Sequence, residues 1–233
     1  MRRRRRLARP PAVVDVQAIV IPVTPFAQNC SLVWCPRTLE GAVIDPGGDL
    51  EKVLAEAKKH GVKLTKILLT HAHIDHAGGT AQLARDLNLP IIGPHPGDQF
   101  WIDGIAEQGR MFGFGHCESF VPDQWLDQGD KVKVGDVEFD VQHCPGHTPG
   151  HVTFHCAADK IAFVGDVLFA GSIGRTDFPG GDYDTLIRSI RERLFTLGDD
   201  VRFVPGHGPM STFGDERRSN PFVSDAVVAS QRG

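Results

Sequence analysis

Thr70-His71-Ala72-His73-Ile74-Asp75-His76 places three imidazoles and a carboxylate within six residues. Imidazole nitrogen and carboxylate oxygen are the donors that suit zinc, and also iron or manganese. In extended backbone, residues two apart point the same way, so His71 and His73 can grip one cation from a strand end. Asp75 and His76 fall where the chain turns into the next helix, and adjacent side chains there can diverge toward a second cation. Gly78 and Gly79, just beyond, leave room for close approach.

Three further residues stand in the same kind of place, in a glycine- or proline-bearing turn just after an apolar strand: His147 in Pro145-Gly146-His147-Thr148-Pro149-Gly150, Asp166 in Gly165-Asp166, and His207 in Pro205-Gly206-His207-Gly208. Any one of them alone reads as an ordinary surface or core residue. Together with the His71–His76 cluster they predict a site for two metal ions, built from His71, His73, Asp75, His76, His147, Asp166 and His207. Zinc is expected, with iron or manganese as the alternative at one or both positions. Arg175 and Tyr183 are candidate substrate contacts, although Arg175 has an internal ion-pair partner available in Asp177. Of the other histidines, His143 and His151 flank the His147 turn and read chiefly as packing residues. Cys144 reads as structural.

The elements that must position these residues alternate short apolar strands with amphipathic helices, the signature of a layered α/β domain. Strands are predicted at 17–23, 31–35, 41–44, 66–70 and 91–93, and after Lys131 at 132–134, 137–141, 152–155, 161–164 and 201–204. The first helix follows Asp49 as its cap, carries Leu50, Val53, Leu54 and Ala57 on one face and stops at Gly61. A second helix is expected over 77–87. A last one is expected with Asp184 as cap, Leu186, Ile190 and Leu194 at four-residue spacing, and Gly198 as its stop. Between Gly97 and Asp130 no period is legible, and the segment reads as a long aromatic-rich loop bordering a binding site. Strands followed by a helix occur in both halves, so the expectation is a sandwich of two sheets with helices outside, within one domain over 14–233.

Composition narrows the function classes. A formal net charge of −4 supplies no global positive field for a polyanion, so nucleic acid is excluded as the main partner. Five scattered cysteines form no CxxC pair and fit a reducing compartment, so a cytoplasmic location is expected. The run Arg2–Arg6 is read as part of a disordered basic leader over 1–13, because Pro10, Pro11 and Asp15 interrupt the apolar core an export signal needs. No stretch reaches transmembrane length, so no membrane partner is expected.

The motifs resemble the metallo-β-lactamase superfamily over nearly the whole of 16–222. Within it, Pro25-Phe26-Ala27-Gln28-Asn29-Cys30, Asp45-Pro46-Gly47-Gly48, His147-Thr148-Pro149-Gly150-His151 and Gly174-Arg175-Thr176-Asp177-Phe178 are similar to the short bacterial members of the glyoxalase II branch. The resemblance implies an αββα sandwich of two mixed sheets with helices on both outer faces. It implies a first metal on His71, His73 and His147, a second on Asp75, His76 and His207, and Asp166 bridging. It also implies hydrolysis of a small-molecule thioester such as S-lactoylglutathione by a bridging hydroxide, with Asp75 and Asp166 as the catalytic carboxylates and Asp75 orienting the nucleophile. Dizinc lactamases usually carry cysteine where Asp166 falls, so antibiotic hydrolysis is not expected. Only 26 residues follow His207, too few for the helical domain by which full-length glyoxalase II holds glutathione. The competing readings are a persulfide dioxygenase with one iron on His71, His147 and Asp166, a lactonase, and a metal-binding scaffold without activity.

Overall fold

The computed structural model describes residues 15–230, so the basic leader expected over 1–13 lies outside the described residues. The first sheet runs β1 (Gln17–Val23), β2 (Gln28–Trp34), β3 (Glu40–Ile44), β4 (Lys63–Leu68), β5 (Ile91–Ile92), in that spatial order. Its first three strands are antiparallel and its last three parallel. The second sheet contains β6 (Lys131–Val134), β7 (Val137–His143), β8 (Val152–Cys156) and β9 (Ile161–Gly165). After the small hairpin β10 (Leu168–Phe169) and β11 (Ser172–Ile173), it is completed by β12 (Arg202–Pro205) and β13 (Ser211–Thr212), in the order β13-β12-β9-β8-β7-β6. Both large sheets are mixed, as expected.

Period-two alternation explains the layering, because successive strand side chains leave opposite faces. In β4 and just beyond it, Ile67 and Leu69 join the core under the helices of the first sheet, while Leu68 joins the core between the sheets. In β9, Ile161 and Phe163 face between the sheets and Ala162 and Val164 face outward to the second helical layer. On the outer faces lie α1 (Leu50–Lys59) and α3 (Thr80–Leu87) over the first sheet. Over the second lie α6 (Tyr183–Ser189), continued by a wider turn at 190–194, and α7 (Phe213–Ser219). The chain is therefore an αββα sandwich.

Five local expectations need correction. Leu54 of α1 is exposed, and Asp49 occupies the cap position in a left-handed conformation without a side-chain cap, its carboxylate instead accepting from Thr24 N at 3.2 Å and from Lys52. The helix expected over 77–87 is split into α2 (Ile74–Ala77) and α3, with Gly78 and Gly79 between them. The last helix is capped by Asp182, whose carboxylate accepts from Thr185 N at 2.8 Å, and not by Asp184. The aperiodic stretch after Gly97 holds α4 (Gln99–Asp103) and α5 (Ile105–Phe112), with Ile102 and Ile105 fully buried. Gly104 and Gly109 and the exposed aromatics hide their period.

Topology brings the expected ligands to one edge. β7 and β9 are each antiparallel to β8, and β12 is parallel to β9, so β7, β9 and β12 end at the same edge of the sheet. The turns that follow them carry His147, Asp166 and His207. The end of β4 meets that edge where Val152 N donates to Thr70 O at 2.8 Å.

Candidate metal centre

All seven expected ligands meet there. Ligating atoms of His71, His73 and His147 lie within 4.8 Å of one another, and so do those of Asp75, His76 and His207. Asp166 stands between the two trios: Oδ1 is 3.3 Å from His76 Nε2, and Oδ2 is 3.7 Å from both His147 Nε2 and His207 Nε2. His207 Nε2 is 3.0 Å from Asp75 Oδ2. β4 stops at Leu68, earlier than expected, so His71 and His73 are presented by a loop and His73 is the residue before α2. Asp75 and His76 occupy the first turn of that helix.

Hydrogen bonds on the far ring nitrogens fix which lone pairs face inward. His147 Nδ1 donates to Arg175 O at 2.8 Å, and His207 Nδ1 donates to Phe26 O at 3.2 Å. Asp45 holds two more rings: it accepts from His76 Nδ1 at 2.9 Å and from the Thr70 hydroxyl at 2.6 Å. That hydroxyl has spent its proton, so the 3.0 Å contact with His71 Nδ1 has the imidazole as donor. The Nε2 lone pairs of His71, His76, His147 and His207 are thereby left for a cation. Asp45 also accepts from Thr70 N at 2.7 Å, and so ties the β4 loop to both trios.

The donor set fits a pair of divalent cations on two counts. Nε2 of His71 and His76 and Oδ1 of Asp166 are buried with no hydrogen-bond partner, a costly state for polar atoms that a shared cation would relieve. His147 Nε2 lies 3.0 Å from His73 Nδ1, and two facing nitrogens need a proton or a common cation between them. Close backbone approach frames the floor: a methyl on Gly206 would sit 2.0 Å from Asp166 Oδ1, and one on Gly47 would sit 1.5 Å from Asp75 O.

The two trios differ in charge. Burial, joined by neighbouring imidazoles, holds His71 well below the usual histidine range and brings His73 down to about 3. Burial also lowers His147, against the pull of Asp166. Burial works in the same direction on His76 and His207, yet there the carboxylates prevail: Asp166 and Asp75 raise His76 well above its ordinary value, and Asp75 and Asp166 raise His207. Burial opposes ionisation of Asp166 and Asp75, but His76 foremost holds both below the usual carboxylate range.

Four supporting residues escaped the sequence reading. Asp45 stands in the sequence only as the first residue of Asp45-Pro46-Gly47-Gly48. Asp98, fully buried, accepts from Ala72 N at 3.0 Å, the Thr148 hydroxyl at 2.9 Å and Gly150 N at 2.6 Å, so it joins the loop of His71 and His73 to that of His147. Gln108 accepts from Ile74 N at 3.0 Å. His151 does more than pack, since its Nε2 accepts from Asp166 N at 3.1 Å and its ring stacks on His71. Position marks Asp45, which directly follows the end of β3, whereas Asp98 closes a short helical turn, Pro96–Asp98, further beyond β5. His143 does not touch the centre. It stacks on His95 near Asp127, but His95 Nδ1 accepts from Gly97 N and His143 Nε2 donates to Pro149 O, so neither of those nitrogens offers a free lone pair.

A cleft of about 960 Å³ opens over the centre, floored by His73, Asp75, His147, Asp166 and His207. Arg175 lines it, but its guanidinium is bound to Asp177 at 2.9 and 2.7 Å and lies 4.4 Å over the Phe178 ring. Tyr183, the other expected substrate contact, is not among the lining residues. Among the described residues no helix is long and apolar enough to cross a membrane.

Comparison with known proteins agrees with this geometry. The profile of the metallo-beta-lactamase superfamily matches residues 23–207. Hydroxyacylglutathione hydrolase GloC of Haemophilus influenzae is 46% identical over 206 residues, which span 88% of this chain and 97% of that protein. Among solved structures, BLEG-1 B3 metallo-beta-lactamase superposes with a TM-score of 0.82 at 32% identity, over 89% of this chain and 99% of that one. TTHA1623 in a di-iron-bound form superposes with a TM-score of 0.78 at 38% identity, over 88% and 99%.

Proposed function

Since this chain belongs to the metallo-beta-lactamase superfamily, we propose that it is a dinuclear zinc hydrolase of thioesters, with S-lactoylglutathione as its reference substrate. The overall reaction consumes one water, breaks the C–S bond and yields a carboxylate, a thiol and a proton. The observation that carries the reading is the carboxylate of Asp166, whose two oxygens face the two trios at 3.3 to 3.7 Å. A pair of cations bound there would supply a water of lowered pKa and a Lewis acid for the carbonyl oxygen.

The chain's own residues do the rest. His71, His73, His147 and Asp166 would hold the first ion, and Asp75, His76, His207 and Asp166 the second. Asp75, 3.0 Å from His207 Nε2 on the cleft floor, is the carboxylate that orients the attacking water. The leaving thiol has a parent pKa near 8.5, so it departs as thiolate without an obligatory proton donor. That suits a cleft in which Glu107 is paired with Arg110 and Arg175 with Asp177.

Support for the thioester comes from the 46% identity to a hydroxyacylglutathione hydrolase. The test is metal analysis of the purified chain paired with release of thiol from S-lactoylglutathione. Two equivalents of zinc and turnover are expected. The same preparation is offered a β-lactam and, with oxygen uptake monitored, glutathione persulfide. A faster lactam rate, or oxygen consumption with bound iron, replaces the reading. The lactam arm answers to the BLEG-1 likeness, and the iron arm to the di-iron form of TTHA1623.

A further inference from the structure

The cleft above the centre is walled by aromatic side chains, of which Phe26, Phe100 and Phe112 are exposed while Phe178 carries the Arg175 guanidinium on one face. On one side Phe26, from the turn between β1 and β2, meets Phe112 of α5 edge-on at 6.0 Å between centroids, with Met111 beside it. On the other, Trp101 of α4, with Phe100 5.0 Å beside it, approaches Phe178, which stands 5.0 Å from His73 and 6.3 Å from Trp101. Phe26, Phe100, Phe112 and Met111 keep 44, 45, 46 and 69% of their surface exposed. Large apolar side chains left open around a polar floor mark a surface that something apolar covers. The charged groups along these walls are already paired, Arg175 with Asp177 and Glu107 with Arg110.

A thioester brings two groups to such a site. Carrier thiols such as glutathione are polar and charged, and these walls offer little to them. The acyl group, attached to the carbonyl that must reach the floor, is the half that the rings fit. We infer that the acyl group of the substrate is an unbranched or aromatic apolar chain, of about hexanoyl size or longer, lying between the Phe26–Phe112 wall and the Trp101–Phe178 wall. This rests on the proposed thioester hydrolysis and narrows it: lactoyl, short and hydroxylated, is a poor fit to the same walls.

The experiment uses the full chain loaded with zinc and a series of S-acylglutathiones: acetyl, lactoyl, butanoyl, hexanoyl and benzoyl. Burying a methylene supplies roughly a fourfold gain, so kcat/KM is expected to rise steeply from acetyl to hexanoyl and to exceed that for lactoyl at least tenfold. The ratio of hexanoyl to acetyl should shrink several-fold in Phe112→Ser, whose side chain lies half-exposed at the end of α5. Equal rates for acetyl, lactoyl and hexanoyl would overturn the inference while leaving thioester hydrolysis standing. If no thioester is turned over, the proposed function fails, and the cleft is read by binding alone. Tryptophan fluorescence is then titrated with hexanoate and with lactate: tighter hexanoate, weakened in Phe112→Ser, sustains the apolar assignment, and equal affinity ends it.

Discussion

The two trios of the centre sit side by side, with the His71 and His76 rings 4.1 Å apart, yet they are built on opposite electrostatic principles. His71, His73 and His147 form a neutral nitrogen pocket in which burial keeps the imidazoles unprotonated. Asp75, His76 and His207 form an anionic pocket in which carboxylates draw protons onto the imidazoles when no cation is present. A divalent ion entering the first displaces little, whereas one entering the second must expel protons. Asp166 stands between them, and its charge would let two cations lie close on a shared ligand.

The largest test removes that shared group. Asp166→Ala should lose at least one equivalent of metal and reduce thioester hydrolysis by more than the roughly 10- to 100-fold typical of outer-shell losses. Retained stoichiometry and rate would show that the trios do not need a bridge. Next comes the asymmetry in support. His71 is fully buried, and its ring is tied through Thr70 to Asp45, whereas the His207 side chain is 31% exposed and water can take its place. His71→Ala should therefore bind less metal than His207→Ala, and the reverse ranking would break the distinction. Asp45→Asn, which loses one of the acceptor roles serving His76 and Thr70, should cost about 10- to 100-fold in metal affinity. On acidification, the histidines with raised pKa take up protons first. Dialysis at falling pH should then release metal in two steps, the first from the trio of Asp75, His76 and His207, and a single step would contradict the contrast.

Much of this was legible from residue type and strand-end position alone, because a ligand must be a donor and must stand where a strand releases the chain. The seven candidate ligands satisfy both conditions. What was not legible were groups whose role depends on a neighbour distant in sequence. Asp45 looks like the start of a Pro-Gly-Gly turn, and only the pairing of β3 with β4 brings it to Thr70 and on to His76. The helices α4 and α5 were hidden because their apolar residues face both inward, as Ile102 and Ile105 do, and outward into the cleft, as Phe100 and Phe112 do. A periodicity argument assumes one wet face and one dry one. Where a helix also lines a substrate cleft, that assumption fails, and the failure itself marks the binding region.

The last effect expected falls on stability and not on metal binding or rate, and belongs to Asp98, which joins the two loops of the neutral trio. Two forces compete at its carboxyl: burial raises its pKa to about 6, against hydrogen bonds from Gly150, Thr148 and Ala72 that favour the charged form. With burial dominant, the unfolded chain gives up its proton near pH 4 while the folded chain holds it to about pH 6, so the folded state binds more protons in that window. The contribution of Asp98 to stability is thus fullest below pH 4 and declines as pH rises through 6, by on the order of 3 kcal/mol. In urea unfolding of the chelated protein, the gap between wild type and Asp98→Ala should be widest near pH 4 and narrower at pH 7. A gap that widens with pH would mean that the three donors outweigh burial, and that Asp98 holds the neutral trio together as a fixed anion.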